Sequence, residues 1–324
     1  MIAFITGAAG FIGRHLITKI LENGDSVVGL DNLSTGSLRN IQNFDPKLFR
    51  LVRGDTRDSV LVDRWVAECD VVYHLAAVVG VKNVVEHPVN TLEVNLGGTE
   101  TVLKSALRYS KPVYIASTSE VYGKGISLPF REEDDVVLGP TNKLRWGYAA
   151  SKMVDEFLAI SYFREYNLPV IIGRHFNTIG PFQTGQYGMV VPRFVENALA
   201  GNPLQIYGDG CQTRCFCDVR DVVNAMLLLM DLCKRNQYLG EVFNIGTDTE
   251  VSINTLAKEV IPGALGLTVK VEYIRYEDVY GRDFEDMNRR KPLLVKIGNL
   301  GWLPKVSLES TILDIARSMG YPNE

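Results

Sequence analysis

The chain has 324 residues, of which 46% are hydrophobic and 22% charged, with a formal net charge of -4. This composition is typical of a globular protein, and the charge gives no electrostatic case for binding nucleic acid. No apolar run approaches the roughly 18 residues that span a membrane, and no signal peptide fits before the first predicted strand, so we expect a cytoplasmic protein without a membrane anchor.

A glycine-rich turn follows the first predicted strand, which ends at Thr6. A helix is predicted from Arg14 to Asn23, and three glycines stand between the strand and the helix. Gly7 permits a tight turn, Gly10 lets the backbone approach a pyrophosphate at the helix N-terminus, and Gly13 permits close packing of helix on strand. The alternative is a turn that serves only to reverse the chain.

An acidic residue ends the second predicted strand, Ser26 to Leu30. Asp31 lies about twenty residues beyond the turn, where a carboxylate accepts a hydrogen bond from a ribose 2'-hydroxyl and repels a 2'-phosphate. The order of strand, turn, helix and acidic residue therefore predicts a dinucleotide site that prefers NAD to NADP.

Strands and helices continue to alternate through the first half of the chain. The predicted elements are, in order, strand 48–53, helix 59–68, strand 71–75, helix 91–109, strand 113–116, a helix through 153–166 and strand 170–176. This alternation predicts an α/β fold of the NAD-binding Rossmann type, a doubly wound parallel sheet with ligands at the carboxyl ends of its strands. Small or polar residues stand at three of those ends: Asp55 and Thr56, then Leu75, Ala76 and Ala77, then Thr118, Ser119 and Glu120.

Tyr148 and Lys152 form a Tyr-x-x-x-Lys pair about 140 residues after the glycine turn. Four residues are about one helical turn, so both side chains share a helix face. The lysine ammonium can then lower the pKa of the phenol and make it a base for a substrate hydroxyl. The same spacing is also common on the exposed face of an amphipathic helix, where it has no catalytic meaning.

The pattern changes after residue 176. A loop is predicted at 180–188, followed by a helix at 190–199, whereas the predicted helix 219–232 and strand 241–245 return to the first sheet. We therefore place the Rossmann domain at 1–176, with 214–247 returning to it, and a smaller α/β substrate-binding lobe mainly within 177–324. Substrate is expected between the two.

The five cysteines favour free thiols in a reducing compartment. Cys211, Cys215 and Cys217 lie close together in the sequence, yet no histidine is near them. We therefore predict no metal site.

The motifs together resemble those of the extended short-chain dehydrogenases/reductases that remodel nucleotide sugars with bound NAD. The resemblance covers nearly the whole chain and rests on segments in the family's order: the glycine turn, His74-Leu-Ala-Ala77, Asn95-Leu-Gly-Gly-Thr99, the Tyr148/Lys152 pair and Gly208-Asp-Gly-Cys-Gln-Thr-Arg214. It implies that Thr118 and Tyr148 bind the sugar 4-hydroxyl, that Tyr148 removes its proton and that Lys152 also holds the nicotinamide ribose. The cofactor residues that it implies are Gly7, Gly10, Phe11, Ile12, Gly13, Asp31, Asn32, Asp55, Thr56, Leu75, Ala76, Ala77, Tyr148 and Lys152, with Asp55 and Thr56 facing the adenine.

The reaction expected of the 4-keto intermediate depends on two segments. Thr118-Ser119-Glu120 is similar to the motif of UDP-glucuronate decarboxylases, in which the serine and glutamate are counted as catalytic, whereas related dehydratases have an aspartate where this chain has Ser119. The segment 280–292 resembles that of decarboxylases acting on the same substrate, and it implies Arg290 as an active-site arginine. A 4-ketone beside a C5 carboxylate is a β-keto acid, which loses carbon dioxide when the enolate oxygen is stabilised.

The resemblance also implies a set of nucleotide-sugar contacts, most of them for the uridine and diphosphate: Arg145, Asn177, Val191, Tyr207, Arg214 and Arg282. The expected function is decarboxylation of UDP-glucuronate, and the main alternative is a UDP-hexose or UDP-hexuronate 4-epimerase. A 4,6-dehydratase and a relative without catalytic activity that senses nucleotide are further alternatives. The family also implies a homodimer that packs through the helices after Thr91 and Tyr148.

Overall fold

The structure, a computed structural model, describes residues 1–186, 189–280, 285 and 287–322, apart from the side chains of residues 81, 82 and 280. Its strands are β1 (Ile2–Thr6), β2 (Ser26–Asp31), β3 (Phe49–Arg53), β4 (Val71–His74), β5 (Val113–Thr118), β6 (Val170–His175), β7 (Thr178–Ile179), β8 (Leu204–Tyr207), β9 (Thr213–Arg214), β10 (Cys217–Asp218), β11 (Glu241–Ile245), β12 (Val251–Ser252) and β13 (Val271–Ile274). Its α-helices are α1 (Phe11–Glu22), α2 (Ser59–Glu68), α3 (Val81–Glu86), α4 (Pro88–Arg108), α5 (Trp146–Tyr166), α6 (Val190–Leu199), α7 (Val219–Lys234), α8 (Ile253–Thr255), α9 (Ile261–Leu265), α10 (Tyr276–Tyr280), α11 (Val295–Gly298) and α12 (Leu308–Ser318).

Seven strands form one parallel sheet in the order β11, β6, β5, β4, β1, β2, β3. The chain builds outward from β1 to β3 and then crosses to β4 on the other side of β1. That reversal opens a crevice at the carboxyl ends of β1 and β4, where doubly wound sheets bind their ligands. The predicted Rossmann-type α/β fold is confirmed.

Helices cover both faces of the sheet, which explains why its central strands are apolar throughout. One face is covered by α1 and α7, whose buried residues include Leu16, Ile20 and Met226. The other face is covered by α2, α4 and α5, represented by Trp65 and Leu103. Among the described residues, no helix combines the length and the apolar character that crossing a bilayer requires.

A separate hydrophobic core lies outside the main sheet. It joins α6 and β8 to the helical segment 253–265 and to α12, through residues such as Phe194, Ile206, Leu256 and Ile312. In the same region β8 pairs with β13, and β9 pairs with β12. The cavity described below lies between this core and the sheet.

Several predicted bounds agree with the structure, including those of α2, α6 and β11. The prediction that α1 begins at Arg14 was wrong, because the helix begins at Phe11 and includes Gly13. A Cβ on Gly13 would lie only 2.4 Å from the Gly7 carbonyl oxygen, so the close packing requires glycine although glycine is a poor helix former. Helix α12 and strands β8 and β13 were not predicted.

Candidate active site

A cavity of about 480 Å³ lies at the carboxyl ends of the central strands. About half of the residues that line it were predicted from the sequence, and they extend from the glycine turn at one end to the second core at the other. The predicted residues on its wall are Gly7, Gly10, Phe11, Ile12, Gly13, Asp31, Leu75, Ala76, Ala77, Thr118, Ser119, Glu120, Arg145, Tyr148, Asn177, Val191, Tyr207, Arg214 and Arg290. Segments that are far apart in the sequence therefore meet at one site.

The glycine turn forms one end of the cavity from backbone alone. Gly7 has a φ of 72°, and a Cβ on it would lie 2.9 Å from the backbone nitrogen of Ala76, which closes the turn against the end of β4. Gly10 is the N-cap of α1 and makes no side-chain cap, so the N–H groups of the first turn remain available to an anion. This geometry suits the pyrophosphate of a dinucleotide.

Asp31 lies beside the turn and is held by two backbone groups. Its Oδ2 accepts a hydrogen bond from the Ala9 N–H at 2.9 Å, and its Oδ1 accepts one from the Leu33 N–H at 2.7 Å. Each carboxylate oxygen can accept more than one hydrogen bond, so both can also accept from ribose hydroxyls. A Cβ on Gly36 would lie 2.8 Å from Oδ1, so a side chain there would fill the space beside the carboxylate. The residues at this end fit NAD.

Four of the predicted cofactor residues do not lie among the described residues that line the cavity: Asn32, Asp55, Thr56 and Lys152, of which Lys152 is described below. Asn32 is exposed and accepts a hydrogen bond from the Ser34 N–H. Asp55 pairs with Arg57 at 2.8 Å, and Thr56 is buried beside Gly98. The contacts of Asp55 and Thr56 with the adenine therefore stay a prediction.

Tyr148 lies in the first turn of α5, half-buried at the cavity wall beside Thr118. Desolvation is the largest effect on its phenol and raises the pKa, and the negative charge of Glu120 raises it further. The Thr118 hydroxyl and the Arg290 guanidinium act in the opposite direction but do not outweigh burial. The pKa of the Tyr148 phenol therefore lies above its ordinary value.

Lys152 is one turn further along α5 but does not lie among the described residues that line the cavity. Its side chain is 3% exposed, and its Nζ lies 2.8 Å from Asp155 Oδ2. In this structure the Lys152 ammonium is paired with Asp155, an acidic residue that the sequence prediction did not take into account. The lowering of the Tyr148 pKa by Lys152 stays a prediction.

Glu120 lies between two arginines on the cavity wall, and we call these three residues the arginine–glutamate cluster (Glu120, Arg145 and Arg290). Arg145 Nη2 donates to Glu120 Oε2 at 2.8 Å, and Arg290 Nη1 lies 2.7 Å from Oε1. The side chain of Arg145 is 4% exposed, that of Arg290 is 10% exposed and that of Glu120 is 14% exposed. Both ion pairs are therefore largely shielded from water. Ser119, next to Glu120, is buried. The cluster brings two guanidinium groups to the wall that also holds Tyr148.

The other end of the cavity is bounded by the second core. Tyr207 and Arg214 lie there with Asn177 and Val191, as predicted, and Arg282 lies outside the described residues. Arg193 also lines the cavity but was not predicted from the sequence, and its guanidinium carbon lies 4.0 Å from the centre of the Tyr207 ring. Its position beside Val191 in α6 is the sequence signal that could have identified it.

The model of the NAD dependent epimerase/dehydratase family matches residues 3–246 of the chain. The chain belongs to this family. Two curated members are similar over 94% of the chain. One is UDP-N-acetyl-alpha-D-glucosaminuronate decarboxylase of Bacillus cytotoxicus, 39% identical over 93% of that protein. The other is UDP-glucuronic acid decarboxylase 4 of Arabidopsis thaliana, 35% identical over 65% of that protein.

Among solved structures of the NAD dependent epimerase/dehydratase family, the UDP-glucose 4-epimerase of Thermus thermophilus in complex with NAD is similar throughout. It is 30% identical, has a TM-score of 0.85 and covers 99% of both chains. Family membership makes the protein an enzyme with NAD as its cofactor, and the resemblance seen in the sequence is confirmed.

Proposed function

We propose that the protein is an NAD-dependent nucleotide-sugar decarboxylase whose substrate is UDP-glucuronate. The observation that carries the proposal is the arginine–glutamate cluster on the cavity wall that also holds Thr118 and Tyr148. Two guanidinium groups beside the catalytic tyrosine suit a substrate that has a carboxylate next to its reacting carbon. The hexose of UDP-glucose has no carboxylate that these guanidinium groups could bind. The similarity to two decarboxylases supports the same conclusion.

Tyr148 starts the reaction by removing the proton of the sugar 4-hydroxyl, with Thr118 holding the same oxygen. Bound NAD would supply the acceptor for the hydride that leaves C4, and the same hydride would return to C4 after carbon dioxide has left and C5 has been protonated, so the UDP-pentose forms without net oxidation. The resulting 4-ketone is β to the C6 carboxylate. The bond between C5 and C6 then breaks, carbon dioxide leaves, and the electron pair of that bond passes into an enolate whose oxygen is the former C4 carbonyl oxygen.

The described residues can stabilise each part of this step. Thr118 and the reprotonated Tyr148 donate to the enolate oxygen, which lowers the barrier because that oxygen gains charge in the transition state. Arg290 and Arg145 orient the departing carboxylate. Glu120 holds both arginines in place, and we propose that Glu120 and Ser119 also assist the delivery of a proton to C5.

The main alternative is a 4-epimerase, in which the ketone rotates and is reduced on its other face without losing carbon. The similarity to the Thermus epimerase favours this alternative. A 4,6-dehydratase is disfavoured because Ser119 stands where an acid would be needed to protonate the departing 6-hydroxyl. A binding protein without activity is disfavoured because Thr118 and Tyr148 meet at one cavity.

The proposal is tested by incubating the purified protein with UDP-glucuronate, its 2-acetamido analogue and UDP-glucose in separate reactions. A UDP-pentose with release of carbon dioxide is the expected product from UDP-glucuronate. The 2-acetamido analogue is the substrate in the name of the Bacillus relative. A larger rate of decarboxylation with it would support the proposed reaction but identify a different sugar as the substrate. An isomer of unchanged mass from UDP-glucose or UDP-glucuronate, without gas release, would establish the epimerase instead.

We also propose that the protein is a homodimer that packs through α4 and α5. The two helices pack side by side and leave large apolar side chains exposed: Val89 at 67%, Leu92 at 38%, Val154 at 43% and Phe157 at 64%. Neighbouring exposed apolar residues on packed helices are typical of an interface. Light scattering should give about twice the 36.1 kDa of the chain, and Phe157→Lys should reduce it toward the monomer. A wild-type mass near that of one chain would refute the dimer.

Two further proposals concern organisation and location. We propose that the main sheet and the second core are the two lobes expected from the sequence, with 214–247 belonging to the first. We also propose a cytoplasmic location, which the five free cysteines support. Limited proteolysis and cell fractionation test them respectively.

A further inference from the structure

The position of Lys152 differs from what a direct role at the cofactor requires. A lysine that contacts the cofactor ribose must reach the cavity, yet this ammonium is buried and bound to Asp155. The pair lies within α5, three residues apart, and both side chains are almost fully shielded from water. In such surroundings an ammonium and a carboxylate attract each other strongly. Asp155 therefore competes with the cofactor ribose for the Lys152 ammonium.

Asp155 depends on Lys152 in turn. Its Oδ1 has no hydrogen-bond partner in the part of the chain that the structure describes. Burial raises the pKa of the Asp155 carboxyl, and the Lys152 ammonium opposes this most strongly. A hydrogen bond from the Thr99 hydroxyl also lowers this pKa, less strongly than the Lys152 ammonium does. The ammonium on Oδ2 is therefore the main stabilising contact of this carboxylate.

A buried polar chain connects the pair to the strand ends at the cofactor end of the cavity. Thr99 Oγ1 lies 3.1 Å from His74 Nε2, and His74 Nδ1 lies 2.7 Å from Thr6 Oγ1. Thr6 Oγ1 accepts a hydrogen bond from the N–H of Ala76, which lines the cavity. Burial, reinforced by the charge of Lys152, lowers the pKa of His74 to about 3, so this histidine is neutral. This series of hydrogen bonds packs polar but uncharged side chains near Asp155, and none of them is a second cation.

We propose that Asp155 is a positioning residue whose ion pair with Lys152 competes with the contact between the Lys152 ammonium and the cofactor ribose. The proposal rests on the proposed role of Lys152 in the redox step. NAD would bind the conformation in which the Lys152 ammonium reaches the cavity. Any contact that stabilises the conformation paired with Asp155 therefore weakens NAD binding. Asp155 thus sets both the affinity for NAD and the charge near Tyr148.

Charged groups on several elements also shift the pKa values of Tyr148, Asp155 and the nearby histidines. Glu120 and Arg290 act on Tyr148, Glu156 acts on Asp155, and the charge of Lys152 reaches His74 and His175. Asp155 itself raises the pKa of Tyr148. Removal of its charge therefore favours the phenolate that the reaction needs.

The test is a double-mutant cycle on NAD affinity, measured by calorimetry with the full-length protein freed of copurified nucleotide. Asp155→Asn should lower the Kd for NAD roughly three- to tenfold, because an amide retains the shape but loses one charge-assisted hydrogen bond. Lys152→Met should weaken binding, and adding Asp155→Asn to it should change nothing. Glu100→Gln, which neutralises the acid of an exposed lysine pair on α4, is the matched control and should leave Kd unchanged.

An unchanged or higher Kd in Asp155→Asn, or the same decrease in the Lys152→Met background, would overturn the proposal. In Asp155→Asn the acid limb of kcat/KM should also move to lower pH, which a merely structural role would not cause. If the variants do not fold, crystals of the wild-type protein decide: the contact of 2.8 Å between Nζ and Asp155 should persist without NAD and break with NAD bound. A contact kept in the NAD complex would refute the proposal. The cycle does not use a sugar substrate, so a failure to decarboxylate UDP-glucuronate leaves it interpretable.

Discussion

Replacement of Arg290 by glutamine tests the role of the arginine–glutamate cluster most closely. Arg290 lies 2.7 Å from Glu120 and its side chain is 10% exposed, so in this shielded position it would contact the substrate carboxylate with little competition from water. Loss of one such charged donor to a transition state costs about 2 to 4 kcal/mol. That corresponds to a decrease of roughly 30- to 1,000-fold in kcat/KM for UDP-glucuronate.

The assay is carbon dioxide release, combined with the mass of the nucleotide-sugar product. Arg289→Gln is the matched control, because Arg289 is adjacent in the chain but half exposed and paired with Glu250 on the surface. It should change kcat/KM less than about threefold. NAD affinity should be the same in both variants. Arg290→Gln with nearly wild-type decarboxylation would refute the assignment of the substrate carboxylate to this cluster.

Three other outcomes follow from the site. Tyr148→Phe should abolish turnover while NAD still binds, and the rate of the wild-type protein should rise with pH through the neutral range. The pKa of the phenol is raised and the base must be deprotonated, so a rate that falls as pH rises would contradict this role. Gly7→Ala should cost about 2 to 5 kcal/mol of stability and weaken NAD binding, because its φ is positive and its Cβ would meet backbone. Gly24→Ala is the control, because φ is also positive there but no atom lies within 4 Å of the added Cβ. It should cost about 1 to 2 kcal/mol and leave NAD binding unchanged. Equal effects of the two substitutions on denaturation and on NAD binding would contradict the role of the glycine turn in binding NAD. Asp31→Asn should reduce the preference for NAD over NADP in binding measurements, and an unchanged ratio would show that Asp31 does not select the ribose.

The features that the sequence predicted well depend on short segments. The glycine turn and Asp31 follow from local backbone requirements, and Tyr148 reaches the cavity because it begins a helix beside the end of β5. The position of Lys152 was not predictable in the same way, because it depends on whether Asp155 is buried and on what else surrounds it. Burial is a property of the packed fold.

The arginine–glutamate cluster shows the same limit at longer range. Glu120, Arg145 and Arg290 come from three distant segments, and their charges alone do not show that they meet. Arg290 was predicted from a resemblance, whereas its pairing with Glu120 required the structure. The adenine contacts of Asp55 and Thr56 were implied by the family resemblance, and the ion pair between Asp55 and Arg57 was not predicted from the sequence.

The most direct measurement is the mass of the product formed from UDP-glucuronate by the purified protein. We predict a UDP-pentose together with stoichiometric carbon dioxide. A product of unchanged mass formed without carbon dioxide would contradict decarboxylation and identify a 4-epimerase.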